Sequence, residues 1–189
     1  MNHTGEKGTV RMFALETLRL SEEVEGGFEN PRGFGVSVAA LSDLTGRCSK
    51  FCLENEDELE ELIKVLKDTD RLVGFGARRF DIPVLTSAIP GAMILRARTI
   101  DLLPIFERAT GRRVTLANLA RHTLGVELES GISSPLEWRT GNRGAVFRRL
   151  EKKVKVIGEL YLLSLADMPW EYVVMEKGVL TRRHVSITP

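Results

Sequence analysis

The chain has few cysteines, few aromatic side chains and little excess charge of either sign. Its two cysteines, Cys48 and Cys52, lie in RCSKFC, and the second pair of ligands that a zinc site needs is missing. On a strand they would share one face, so we expect reduced, packed residues. Aromatic residues make up 6% of the 189 residues, and the net charge is +1. The overall charge therefore does not indicate a nucleic-acid or membrane binder, and any basic surface must be local.

Long apolar runs are missing as well. The first ten residues, MNHTGEKGTV, have no apolar stretch typical of a secretory signal, and no later run approaches the roughly 20 residues of a membrane span. We therefore expect a cytoplasmic protein without membrane partners. The length falls within the range of one domain of ordinary size, so the simplest prediction is a single domain over 1–189.

Patterns of alternating strands and helices are present. Strand patterns cover 9–16, 34–43, 47–54 and 71–76. Helical patterns cover 55–70, 78–89, 115–127 and about 145–166, and 96–111 is typical of a strand followed by a helix. The tail is expected to form a hairpin around Lys177 and Gly178. This order predicts an α/β domain with a central mixed β-sheet flanked by helices and a C-terminal hairpin.

Two acidic residues stand at the boundaries of predicted elements. Glu16 ends the first strand in FALET, and Asp81 begins a helix in LVGFGARRFDIPVL. They could be unrelated acids, since the dipole at a helix N-terminus favours negative charge in any case. The alternative is that both are remnants of one site.

The two stretches resemble motifs of the DEDD superfamily of 3′–5′ exonucleases, which has a ribonuclease H-like fold, and in particular its stand-alone bacterial members. The resemblance covers nearly the whole chain. The first family motif, F-D-x-E-T, matches FALET except that Ala14 replaces the aspartate. The second, G-F-N followed by F-D, matches with Gly76 in the asparagine position. The family's connecting segment is also similar, and there Asp101 is expected to start a helix rather than bind metal.

The third family motif, a tyrosine or histidine followed four residues later by an aspartate, is missing from the last long helix. The register that keeps the apolar stripe of this helix puts Leu150 in the tyrosine position and Val154 in the aspartate position. A shifted register would use Glu159 as the acid, but it would rotate the helix away from its stripe. Of the four family carboxylates, Glu16 and Asp81 remain.

The family hydrolyses phosphodiester bonds with two magnesium ions held by its carboxylates. The resemblance therefore implies that Glu16 and Asp81 are a vestigial site, which holds at most one weakly bound magnesium or manganese ion. If these carboxylates face the apolar helix, burial would penalise them unless a cation pairs with them. Arg78 or Arg79, just before Asp81, could supply that cation.

Basic residues are frequent on the last predicted helix, at Arg148, Arg149, Lys152 and Lys153. Such a run is usually a solvated helix face, and the alternative is a strip that binds phosphate. We expect a catalytically inactive, exonuclease-like module that binds single-stranded DNA or RNA or a protein partner. One alternative is an active metal-dependent 3′–5′ exonuclease with an atypical carboxylate set that includes Glu159 or Asp101. Another is an adaptor whose basic helix contacts an acidic protein.

Overall fold

A five-stranded mixed sheet forms the centre of the computed structural model, which describes residues 8–189. The part of the predicted domain in 1–7 lies outside the described residues. The strands are β1 (Val10–Thr17), β2 (Val36–Ser42), β3 (Cys48–Cys52), β4 (Arg71–Gly74) and β5 (Thr99–Asp101). Their spatial order is β3–β2–β1–β4–β5, with β1, β2 and β3 antiparallel and β1, β4 and β5 parallel. The predicted mixed sheet is therefore confirmed.

Helices cover both faces of the sheet. They are α1 (Glu56–Lys67), α2 (Asp81–Leu85), α3 (Leu102–Thr110), α4 (Leu116–Leu119), α5 (Ser134–Arg139) and α6 (Arg143–Leu165). Phe13 and Leu15 of β1 join the apolar cluster that includes α1 and α2, whereas Met12 and Ala14 join the cluster that includes α3 and α6. This division follows from the strand itself, because successive side chains point to opposite faces. No helix within residues 8–189 is both long enough and apolar enough to cross a membrane.

The apolar stripe predicted for the last helix is present in α6. Leu150, Val154 and Ile157 are fully buried and Tyr161 is nearly so, and all four belong to the cluster on that face of the sheet. The stripe anchors α6 across the sheet. It thereby fixes which of the remaining α6 side chains reach the end of β1.

Three segments differ from the sequence prediction. The helical stretch predicted over 78–89 contains a helix only at Asp81–Leu85, because the N–H groups of Arg79 and Phe80 both bond to the carbonyl of Gly76 in a turn. Residues Pro90–Arg98 form a 3₁₀ segment that the sequence did not predict. The helix α5 was not predicted either, because its six residues give no strong periodic signal.

The predicted C-terminal hairpin is also present, as β6 (Trp170–Glu176) and β7 (Val179–Val185). Lys177 and Gly178 have φ values of +49° and +83°, as a tight type I′ hairpin turn requires. The outer edge of β6 is held by side chains: the amide of Asn118 exchanges two hydrogen bonds with the backbone of Val173.

Candidate functional site

Glu16 and Asp81 lie together in a cleft of about 930 Å³ at one end of the sheet. Glu16 is at the end of β1 and Asp81 is the first residue of α2, so the parallel pairing of β1 with β4 brings them to the same edge. Both are buried, with 6% and 5% of their surface exposed. The structure therefore joins the two acids that the sequence singled out.

A lysine of α6 reaches this pair of acids. The Nζ of Lys153 lies 3.9 Å from Oε1 of Glu16 and donates a hydrogen bond of 3.3 Å to the carbonyl of Leu15. Burial lowers the pKa of Lys153, but the charges of Glu16 and Asp81 more than offset this, and the net direction is upward. Lys153 is therefore an ammonium ion at neutral pH. Its side chain is 29% exposed, and it lines the cleft.

Asp81 titrates far above its usual range. Burial raises its pKa from 3.8 to about 6; the Lys153 charge acts in the opposite direction, while Glu16 and Asp101 add to the rise. Ionising Asp81 in this setting is costly, because burial removes the water that would stabilise the charge. The carboxyl therefore changes charge close to neutral pH, although the ammonium of Lys153 is nearby.

Asp101 lies at the same edge, and its oxygens are taken by the backbone. They accept hydrogen bonds from the N–H groups of Gly76 at 2.6 Å, Arg78 at 2.8 Å and Leu103 at 3.3 Å. The predicted role of Asp101 at the start of a helix agrees with this geometry, since it is the N-cap of α3. Gly76 has a φ of +75°, a conformation that glycine and asparagine tolerate better than other residues.

The counter-ion of the acids is not the one expected from the sequence. Arg78 and Arg79 were the candidates, but both are exposed, and in the part of the chain that the structure describes neither forms an ion pair with Glu16 or Asp81. Arg78 contacts the acids of the site through its backbone, because its N–H donates a hydrogen bond to Asp101. Lys153 takes this position because the α6 stripe points it at the end of β1.

The α6 residues that reach the cleft lie one position before the two that were aligned with the family motif. Leu150 and Val154 are fully buried in the same apolar cluster as Ala14, and they do not line the cleft. Arg149 and Lys153 line it instead. One residue along a helix is a rotation of about 100°, so the cleft-facing pair flanks the stripe rather than lying on it. The side of α6 that faces the cleft therefore carries two cations, Arg149 and Lys153.

Arg149 is held in place by a network of its own. Its Nη1 donates to Oγ of Ser134 at 2.8 Å, and its Nη2 donates to Oε1 of Glu137 at 3.0 Å. Nη2 also lies 3.4 Å from Glu129. The hydrogen-bonded Glu137 raises the pKa of Arg149 and keeps it charged. Arg149, with 8% exposure, is thus mainly a structural tie between α6, α5 and the loop before α5.

That loop closes over Glu16. A Cβ added to Gly131 would lie 2.9 Å from Oε2 of Glu16, which is closer than real Cβ contacts allow. The glycine therefore permits the loop to approach the carboxylate. No sequence pattern marked this position, because Gly131 has an ordinary φ and lies far from Glu16 along the chain.

The four basic residues predicted as a phosphate-binding strip do not share one surface. Arg148 and Lys152 are exposed on the outside of α6, whereas Arg149 and Lys153 turn inward. In the predicted register all four faced solvent beside an apolar stripe. The structure therefore splits the strip into an inner pair at the acids and an outer pair.

From the sequence, Arg78 and Arg79 were considered only as counter-ions of the acids, and the other exposed arginines that line the cleft were not selected. Eight basic side chains line the cleft against six acidic ones. Five of the arginines are exposed and, within residues 8–189, have no acidic partner within 4.0 Å. One of them, Arg19, donates a hydrogen bond to the carbonyl of Gly33, and the other four are Arg78, Arg79, Arg96 and Arg108. These four arginines belong to the β4–α2 turn, the 3₁₀ segment and α3. The sequence therefore contains no single run of charge that groups them.

An aromatic cluster forms part of the same rim. Phe28 is 67% exposed, and its ring packs 5.4 Å from Phe34 and 5.8 Å from Phe80. An exposed ring supported by two others presents a flat apolar surface at the entrance of a cationic cleft. Phe28 lies in a loop of acidic and glycine residues, where sequence alone offered no reason to select it.

The residues present do not fit the two-metal centre that the fold family uses. Within residues 8–189 no group of three or more histidine, cysteine or acidic side chains is arranged to hold a metal ion. Asp101 is committed to backbone N–H groups, and the Lys153 ammonium lies against Glu16. A divalent ion about 4 Å from an ammonium would be repelled by on the order of 8 kcal/mol at an effective dielectric constant of about 20.

Comparisons with known proteins agree with this fold. A family model, RNase_H_2 of the RNase_H superfamily, matches residues 27–143, more than half of the chain. Among solved structures, a family B DNA polymerase from the hyperthermophilic archaeon Pyrobaculum calidifontis matches with a TM-score of 0.64 and 18% identity. The match covers 86% of this chain and 25% of the polymerase chain, so this chain spans about a quarter of the length of that relative. No curated protein matches the sequence.

Proposed function

This chain belongs to the ribonuclease H superfamily, and from that premise we propose that it binds single-stranded nucleic acid in the cleft without hydrolysing it. The observation that carries the proposal is the cleft itself, in which exposed arginines without an acidic partner in residues 8–189 accompany two buried acids whose charge Lys153 offsets in part. The charge balance of the site thus favours an anionic ligand over a metal ion.

The arginines supply the attraction for a phosphate backbone. Arg78, Arg79, Arg96 and Arg108 line the cleft, exposed and free of acidic partners within residues 8–189. Guanidinium groups bind phosphate oxygens through paired N–H donors. Several arginines in one cleft can therefore bind successive phosphates of a strand. The net charge of +1 does not reveal this surface, because the cleft has eight basic residues against six acidic ones while the charges of the whole chain nearly cancel.

Phe28 supplies a place for a base. Proteins that bind single strands without reading sequence combine a cationic groove with aromatic rings on which bases stack. Phe28 has the required exposure and support, and it lines the same cleft as the arginines. The arrangement is tolerant of base identity, so it does not distinguish DNA from RNA.

The absence of hydrolysis follows from the donors at the acids. Family hydrolysis needs two ions that generate hydroxide and stabilise the transition state. Here Ala14 contributes no oxygen, and Lys153 lies at the cleft-facing position of α6. Glu159, the substitute acid considered from the sequence, is exposed and does not line the cleft.

Fluorescence anisotropy with labelled single strands tests the binding. We expect affinity that falls steeply with salt, since neutralised phosphates release counterions. Joint substitution Arg78→Gln and Arg79→Gln is expected to weaken binding and to reduce the salt slope by about 2, one unit for each lost phosphate contact. Arg71→Gln is the matched control, because Arg71 is exposed at the opposite end of β4 and does not line the cleft.

A nuclease assay with the same strands tests the second half of the proposal. We expect no shortening of the strand in magnesium or manganese. Metal-dependent products that disappear in Glu16→Ala and Asp81→Ala would show that the site is active. If no strand binds even at low salt, the proposal fails and an adaptor that contacts an acidic protein becomes the better interpretation.

A further inference from the structure

Lys153 is unusual among the basic residues of the chain because it is directed at buried acids rather than at solvent. Within residues 8–189 its one hydrogen bond goes to the carbonyl of Leu15, and its nearest carboxylate is Glu16 at 3.9 Å. An ammonium group has three N–H donors. Since Lys153 also lines the cleft, donors remain for a ligand that enters it.

The place of this ammonium is one that a metal ion would otherwise fill. Glu16 and Asp81 are buried at one edge of the sheet, and two buried carboxylates need positive charge close by. A magnesium ion commonly uses one or two carboxylates with waters and ligand phosphate. Lysine and metal exclude each other here, because both would have to lie against the same carboxylate.

We propose that the Lys153 ammonium is the permanent cation of this site, which excludes divalent ions from Glu16 and Asp81 and binds a phosphate oxygen of the ligand in their place. The ligand-binding half of this inference rests on the proposed function, whereas the metal-excluding half does not. A cleft with such a built-in cation binds its ligand equally well with and without divalent ions.

Calorimetric titration with manganese alone tests the metal-excluding half. We expect no binding to the wild-type protein and binding of one ion to Lys153→Glu, in which a new carboxylate joins Glu16 and Asp81 and the ammonium is gone. Lys152→Glu makes the same charge change on the exposed face of α6 and is expected to bind none. Manganese binding by the wild-type protein that Glu16→Gln abolishes would overturn the inference, as would a folded Lys153→Glu protein that binds no ion.

Lys153→Gln serves if Lys153→Glu does not fold. It removes the ammonium without adding a charge, so Glu16 and Asp81 are left without their cation. We expect manganese to raise the melting temperature of Lys153→Gln and to leave that of the wild-type protein unchanged. Equal responses of the two proteins would contradict the exclusion of metal by Lys153.

Anisotropy of a labelled single strand tests the ligand-binding half. We expect equal affinity of the wild-type protein in EDTA and in magnesium, and roughly tenfold or greater loss in Lys153→Met, since a hydrogen bond to a charged group is removed. Wild-type binding that requires magnesium would overturn the inference. If no strand binds under any condition, the proposed function fails, and the manganese titration still decides the role of Lys153.

Discussion

The ammonium nitrogen of Lys153 lies 3.9 Å from a carboxylate oxygen of Glu16, although one residue comes from the first strand and the other from the last long helix. The contact joins β1 and α6 at the end of the sheet where the parallel strands β1 and β4 finish. It also sets the charge of the cleft. Lys153 offsets part of the charge of the two acids, and the exposed arginines of the cleft are left to attract a ligand.

Removing the lysine is expected to destabilise the fold in a pH-dependent way. At pH 7.5 Lys153→Met leaves Glu16 and Asp81 without their cation, at a cost of about 2 kcal/mol, below the full penalty of a completely buried pair because Lys153 is partly exposed. Below pH 5, Asp81, whose pKa is about 6, is largely protonated and no longer needs the cation. The cost is therefore expected to shrink as the pH falls.

Urea unfolding of the wild-type protein and Lys153→Met at pH 5 and pH 7.5 measures this difference. Lys152→Met is the control, because Lys152 is exposed and forms no ion pair within residues 8–189. A penalty for Lys153→Met that is equal at both pH values would mean that Lys153 does not act through the charge of these acids.

Asp81 itself is expected to cost stability at neutral pH. Its native pKa of about 6 exceeds its usual 3.8, so between these values the native state binds more protons than the unfolded state, and stability falls as pH rises. The shift corresponds to about 3 kcal/mol. Asp81→Asn cannot ionise, so its stability relative to wild type is expected to increase by up to that amount between pH 4 and pH 7.5.

The measurement is the difference in unfolding free energy between Asp81→Asn and wild type across that range of pH. Asp68→Asn makes the same chemical change at an exposed position at the end of α1. A difference for Asp81→Asn that does not grow with pH would contradict the burial of an ionisable Asp81 in this site.

A methyl group at Gly131 is expected to push on Glu16. The added Cβ would lie 2.9 Å from Oε2 of a carboxylate that is buried and paired, so Gly131→Ala is expected to cost about 1 kcal/mol. Gly91→Ala is the matched control: a Cβ there would meet nothing within 4 Å, and the change is expected to be neutral or slightly stabilising.

A double-mutant cycle shows whether Glu16 is the cause. Glu16→Ala removes the atoms that the new methyl group would approach, so the cost of Gly131→Ala is expected to vanish in that background. Additive effects of the two substitutions would place the origin of the cost elsewhere in the loop. Thermal melting of the four proteins is sufficient for this test.

Much of the fold was predictable because its main elements are long and periodic. The strand at Val10–Thr17, the helix at Glu56–Lys67 and the helix at Arg143–Leu165 all lie within a few residues of their predicted bounds. The hairpin turn at Lys177 and Gly178 was predictable for another reason, namely its residue chemistry. Short helices such as Ser134–Arg139 complete less than two turns, so they leave no periodic signal.

The site was predictable only in part, because periodicity identifies the buried face of a helix but not what lies at its margin. Glu16 and Asp81 could be selected because each follows a recognisable strand or turn. On α6 the family motif was aligned with Leu150 and Val154, which lie on the buried stripe. The cleft is lined by the residue before each of them, Arg149 and Lys153. Arg96 and Arg108 are far from Arg78 and Arg79 in sequence, and only the tertiary fold brings them to the same cleft.

Adjacent residues on α6 give a direct test of this geometry. Val154 is fully buried in the core, so Val154→Asp would bury an unpaired charge and is expected to cost on the order of 4 kcal/mol or to prevent folding. Lys153→Asp removes the ammonium beside Glu16 but places its carboxylate in the cleft, where water reaches it, so it is expected to be less destabilising than Val154→Asp. Circular dichroism and melting temperatures of the two variants measure the contrast. If Val154→Asp were instead the more stable of the two, the burial of Val154 in the core would be contradicted.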